Sequence, residues 1–179
     1  MNVDARTAGL FAGVALLALA GAALAAVYYV PATAGLGDPP ANRAQVVVTD
    51  GASGERLGVV TARVADTPTE RYTGLSDTAS LAKNEGMLFV YRSAGRHAYV
   101  MRDMAFPLDI VYVGADGTIT AIHHAPVPPP GTDESDLTRY AGTGQYVLEV
   151  NRGWTTEHGV EVGDEVAIEY GPNATSTAD

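Results

Sequence analysis

From Ala8 to Val30 the chain reads AGLFAGVALLALAGAALAAVYYV, an apolar run without one charged residue. At about 1.5 Å per residue, a helix of that length crosses a hydrocarbon core of roughly 30 Å. The run therefore predicts a single transmembrane helix, with everything after it folding separately. Tyr28 and Tyr29 fall where aromatic rings anchor at a membrane–water interface, and Pro31 ends the helix. A cleaved signal segment is the alternative, since Ala23-Leu24-Ala25 has the form of a cleavage site. Cleavage there leaves Ala26–Val30 as an apolar stub, which favours a retained anchor.

Arg6 and the terminal amine precede the run, and the first basic residue after it is the distant Arg43. Basic residues near span ends stay inside, so the expectation is a single-pass protein with its amino terminus in the cytoplasm and its body outside. The alternative is a protein secreted after signal cleavage. The chain has 21 acidic against 11 basic residues, for a formal charge of −10. Lys83 is the only lysine, and with many alanines and threonines this resembles the surface of a halophile's protein. No basic cluster suggests nucleic acid as a partner. The absence of cysteine removes disulfides, thiolate nucleophiles, thiolate metal ligands and a thioether-linked lipid together.

The expected organisation is a short tail (1–7), the anchor (8–30), a Pro/Gly/Ala linker (31–44), one globular domain (45–170) and a loose polar tail (171–179). Asn173-Ala174-Thr175 is a glycosylation sequon on that tail. Within the domain, β-branched runs predict strands at Gln45–Thr49, Leu57–Val64, Gly86–Tyr91, His97–Met101, Asp109–Val113, Thr118–Ile122, Tyr146–Val150 and Glu165–Tyr170. Asp116-Gly117 supplies the reversal for the clearest hairpin. Thr67-Pro68-Thr69-Glu70 has the pattern of a capping box, predicting a two-turn helix that Gly74 closes. A second short helix is expected at Trp154–His158, and the proline-rich stretch Ala125–Gly144 reads as a long surface loop. The fold class is thus α+β but predominantly β: a compact, mostly antiparallel, sheet- or barrel-like domain with about two short helices, preceded by one amino-terminal transmembrane helix.

Four stretches occur in a fixed order: VADTPTERYTGLSD (64–77), EGMLFVY (85–91), MRDMAFPLDIVYVGADGTITAI (101–122) and YVLEVNRGWTTEHGVEVGDEV (146–166). Together they resemble the uncharacterised family called domain of unknown function 192, and the composition suggests a haloarchaeal member. The resemblance implies a compact β fold, often exported, and no reaction. Where the family often shows Phe-Trp-Met-Lys-Asn-Thr, this chain has Tyr99-Val100-Met101-Arg102-Asp103-Met104. Cysteines that some relatives carry in the proline-rich loop are missing.

Four residues are candidate ligand contacts. Arg71, in the first helix, has the planar fork that grips a carboxylate or phosphate at two points, or else is a surface ion pair. Arg102, Asp103 and Asp109 form the densest polar cluster beside apolar strands. An inward Asp109 needs an arginine or amide partner. His123 and His124 point to opposite faces of a strand and so do not chelate one metal together. No metal site and no cofactor is expected, and no phosphate loop, nucleophile elbow or HExxH motif is present. Met87, Met101 and Trp154 read as core. Three functions fit: a noncatalytic module binding a small anionic ligand, a carboxylate-dependent hydrolase whose anionic substrate is held by arginine, and a domain docking on an envelope protein.

Overall fold

The computed structural model describes residues 42–172. The predicted anchor, most of the linker and the Asn173 sequon lie outside the described residues. Among the described residues, no helix is long and apolar enough to cross a membrane.

Among the described residues, seven strands and two short helices follow one another: β1 (Arg43–Thr49), β2 (Arg56–Ala65), α1 (Pro68–Thr73), β3 (Glu85–Tyr99), β4 (Leu108–Val113), β5 (Ile119–Ala125), β6 (Tyr140–Asn151), α2 (Trp154–His158) and β7 (Glu165–Tyr170). One 3-10 turn, Glu134–Asp136, interrupts the loop before β6. The strands form a single sheet in the order β5-β4-β6-β3-β2-β1-β7. Every pairing is antiparallel except β2 with β3, and the segment carrying α1 makes the crossover a parallel pair requires. The sheet curls until its edges meet at one end. There Thr118 bridges Glu165, Ile119 N–H donates to Asp164 (2.8 Å) and Val166 N–H to Gly117 (2.8 Å).

Pleating divides the apolar side chains into two layers. Leu88 and Val90 of β3, Val111 and Val113 of β4, and Leu148 and Val150 of β6 share one cluster with β1, β2 and Trp154. Their neighbours Met87, Phe89, Leu108, Ile110, Tyr112 and Val147 join Leu75 and Met101 in a second cluster on the other face. Both faces of the central strands are therefore covered, and all six residues of β4 are buried. A polar side chain on these strands has no exit to solvent by alternation alone.

The capping box forms as its sequence predicts. Thr67 Oγ1 accepts from the Glu70 amide (3.2 Å), the Thr67 amide donates back to Glu70 Oε2 (3.1 Å), and Gly74 closes α1 at φ 53°. Thr67→Ala is expected to cost about 1 kcal/mol in urea unfolding, the usual worth of such a cap, with little change in m value.

Several boundaries differ from the sequence reading, among them the end of β5, which runs on from Ile122 to Ala125. Strand β1 begins at Arg43, so the linker ends two residues earlier, with Ala44 already buried in the core. The two predicted strands at 86–91 and 97–101 are one strand, β3, whose register slips between Val90 and Gly95 and which ends at Tyr99. The predicted loop 125–144 shrinks to 126–139, because Tyr140–Gly144 pairs with Gly95–Tyr99. Gly142 and Gly144 mark close approach and not a turn. A Cβ on Gly142 would sit 2.5 Å from the Tyr112 ring, and one on Gly144 2.6 Å from the Val113 carbonyl.

Candidate functional site

The slip in β3 builds the site. Beyond it the strand folds back, so that Tyr99 meets Phe89 edge-on (4.9 Å between centroids) and His97 stacks on Tyr91 (3.6 Å). The Tyr91 and Tyr99 hydroxyls lie 2.9 Å apart and share a hydrogen bond. This folded-back ribbon, α1 and the stretch Val100–Met104 enclose a cleft of about 420 Å³ on the outer face of the sheet.

Three cations line the cleft. Arg71, from α1, donates to the carbonyls of Asp66 and Val90 (2.9 Å to the latter) and lies 4.9 Å from the Tyr91 ring centroid. These contacts fix the guanidinium without neutralising it. Arg96, from β3, is exposed, with no ionic or hydrogen-bonding partner among the described residues. Arg102 stacks over the Tyr72 ring (4.1 Å), donates to the Tyr72 carbonyl (2.6 Å) and pairs with Glu134 (3.3 Å). It spans from α1 to the proline-rich loop.

Among the residues lining the cleft the one acid is Glu149, Glu134 reaching Arg102 from the neighbouring loop. Glu149 lies on β6 opposite Met87 and Ile110, in the outer layer, and is 6% exposed. Among the described residues its carboxyl has neither a hydrogen-bonding nor an ionic partner. Burial pushes it up to about 8, and no cation lies close enough to bring it back down. At neutral pH Glu149 is therefore chiefly an uncharged acid. The same burial holds the Tyr99 and Tyr112 hydroxyls well above the ordinary phenol range, Tyr99 further through its bond to Tyr91. Burial also lowers His97; its bond to the Gly144 carbonyl (3.2 Å) works against this, and the nearby Arg71 charge adds to it. His97 is thus neutral at pH 7, and Arg71, Arg96 and Arg102 carry the charge of the cleft.

Of the four residues singled out from sequence, Arg71 and Arg102 come together here. Asp103 is exposed in a backbone turn of φ 55° and lines a separate groove against the proline-rich loop. Asp109 lies elsewhere. Between Leu108 and Ile110, whose side chains join the outer layer, it points to the opposite face. There it accepts from His124 Nδ1 (2.6 Å), the amides of Gly153 and Thr155 (3.0 Å each) and Thr155 Oγ1 (2.7 Å). Its partners include the expected amides and no arginine. His123 bonds the Ala141 carbonyl (2.9 Å), away from His124. Among the described residues no group of three or more potential ligands is placed to hold a metal. Arg96, His97 and Glu149 were missed by the sequence reading.

A curled, mostly antiparallel sheet with two short helices and a polar cleft on its outer face defines a small β-rich domain of one architectural class. The chain belongs to the family designated domain of unknown function 192, described as "Uncharacterized ACR", whose model matches residues 48–168. Two solved structures are similar to it. One, from Sinorhizobium meliloti 1021, is provisionally assigned as a transcription regulator; it is 29% identical, with a TM-score of 0.62 over 73% of this chain and 97% of that one. The other, from Novosphingobium aromaticivorans DSM 12444, is a protein of unknown function, 28% identical, with a TM-score of 0.64 over 78% of this chain and 99% of its own. No curated protein matches the chain.

Proposed function

We propose that this domain is a noncatalytic module that binds a small anionic ligand in the cleft of Arg71, Arg96 and Arg102, held outside the cytoplasm by the Ala8–Val30 anchor. The charge balance of the cleft carries this reading. In a chain of net charge −10, three arginines converge on one concavity whose one lining acid is kept uncharged by burial, and of the three only Arg102 has an ionic partner, Glu134, among the described residues. Such a cleft is locally positive on an acidic molecule, and low-dielectric walls strengthen its pull on anions. The fixed fork of Arg71 suits a carboxylate or phosphate. Asp109 is committed to α2 on the other face of the sheet and Asp103 lines a separate groove, so a hydrolase built on these two acids has neither carboxylate at the cleft.

Titrating the full-length chain in mild detergent with citrate tests this. Citrate is expected to bind, more weakly as salt rises, and Arg71→Ala or Arg96→Ala to weaken it roughly tenfold or more, as loss of a charged hydrogen bond does. Absence of binding, or binding indifferent to both substitutions, removes the proposal. Protection of the domain from external protease on intact cells would contradict its placement outside.

A further inference from the structure

We infer that the ligand of this cleft is a hydroxylated anion, such as a hydroxy acid or sugar acid, whose hydroxyl pairs with the Glu149 carboxyl while its anionic end lies on the arginines. This rests on the anion-binding reading above and names the chemistry at the other end of the ligand.

Glu149 is a nearly buried acid, 6% exposed, whose carboxyl opens onto the cleft and has no protein partner among the described residues. Buried polar groups are costly when unpaired and are nearly always hydrogen-bonded in folded proteins. A metal ion, an ammonium and a hydroxyl are three ligand groups that could satisfy this carboxyl, each making its own demand on the cleft. A metal needs further ligands, and no group of three is present among the described residues. An ammonium needs the carboxylate form. With the group near 8, ionising it at pH 7 carries about a tenfold penalty in affinity, and the ammonium would also enter a cleft ringed by Arg71, Arg96 and Arg102. A hydroxyl meets neither obstacle. It accepts from the O–H of the neutral acid and donates to its carbonyl oxygen, so one group satisfies both ends of the carboxyl. The Tyr91–Tyr99 pair adds a donor, since one hydroxyl proton is spent between them and the second is left over.

The groups facing Glu149 set the pH window. Tyr99 and Tyr91 face it from β3 and Tyr112 from β4; His97, Arg71, Arg96 and Arg102 line the same cleft. Tyr99 and Tyr112 are held above the range in which they lose protons near neutrality, His97 is already neutral, and the arginines keep their charge. Between pH 7 and 9 Glu149 goes from about nine-tenths protonated to about one-tenth.

The experiment is calorimetric titration of the full-length chain in detergent with D-gluconate, hexanoate and 6-aminohexanoate at pH 7 and pH 9. D-Gluconate is expected to bind at least tenfold more tightly than the other two at pH 7, and to lose about tenfold by pH 9. At pH 9 it should take up close to one proton per ligand, read from buffers of different ionisation enthalpy, a measurement that needs no variant. Glu149→Gln, which keeps an amide donor at every pH, should bind D-gluconate with a flat profile. Equal binding of hexanoate, tighter binding of 6-aminohexanoate, absence of proton uptake, or a pH dependence that persists in Glu149→Gln each overturns the inference. Those results leave arginine-dependent citrate binding standing. Failure of every anion to bind overturns both.

Discussion

Glu149→Gln is expected to make the protein more stable, by about 3 kcal/mol at pH 7. In the unfolded chain the carboxyl titrates near 4.5, whereas in the folded domain burial raises it to about 8. Between those values the folded state holds a proton that the unfolded state has released. Stability must then fall as pH rises through that window, by about 1.4 kcal/mol per unit. At pH 7 the wild type has crossed about two and a half units of it; above about pH 8 the loss levels off, and below about pH 4.5 it vanishes. Glutamine has nearly the shape of the neutral acid and no proton to lose, so it escapes the penalty. The check is urea unfolding of both proteins at pH 4, 7 and 9. The difference between them should be near zero at pH 4, about 3 kcal/mol at pH 7 and larger at pH 9. Contributions of other titrating groups cancel in that difference. A gap independent of pH, or a less stable variant at pH 7, would mean that Glu149 has a partner or an exit to water. A position where a neutral isostere stabilises the fold is the kind of position where stability has been traded against binding or chemistry.

The sequence marked the strands through β-branched runs and marked α1 through a capping box whose reciprocal bonds are local, spanning Thr67 to Glu70. Local chemistry of that kind is legible because its partners are neighbours in the chain. The merging of two predicted strands into β3 was not legible, since it depends on β6 running alongside both halves. The Ala125–Gly144 loop reads as too long for a related reason: prolines and acids mark its first part, while Gly142 and Gly144 at its end admit the Tyr112 ring and the Val113 carbonyl, which come from a different strand. At the site, Arg71 was visible as a cation of the capped helix and Arg102 as a charge beside apolar strands, whereas Glu149 was hidden within a run, Tyr146–Val150, that reads as an ordinary strand. A signal was present. Val147 and Leu148 are both apolar, as are Met87 and Leu88 of the partner strand, so this strand is buried on both faces and any acid in it must be buried too. Burial on both faces is a tertiary property, and a single strand read alone shows it only weakly.

Asp109→Ala is expected to destabilise the domain by about 4 kcal/mol, and the reason separates it from Glu149 on the neighbouring strand. Both acids are buried within the same sheet, paired with adjacent residues of β4 and β6. Asp109 accepts from four donors: His124 Nδ1, the Gly153 and Thr155 amides, and Thr155 Oγ1. Removing it leaves those donors unpaired beside a void, and losing one member of a buried charged network typically costs about 3–5 kcal/mol. Two of the donors are backbone amides at the start of α2, so the loss should loosen that helix first. Trp154 is its first residue and the chain's single tryptophan, held by a bond from Nε1 to Asn84 Oδ1 (3.2 Å) and packed in the inner cluster. Its fluorescence is therefore a direct probe of the expected loosening. Asp109→Asn should cost less, because an asparagine oxygen still accepts from α2 while its amide donates to an unprotonated His124 Nδ1. Citrate binding should survive in Asp109→Asn within about twofold, since Asp109 and the cleft lie on opposite faces of the sheet. A folded Asp109→Asn protein that no longer binds citrate would show that the cleft depends on α2, and the division of labour between the two faces would have to be abandoned.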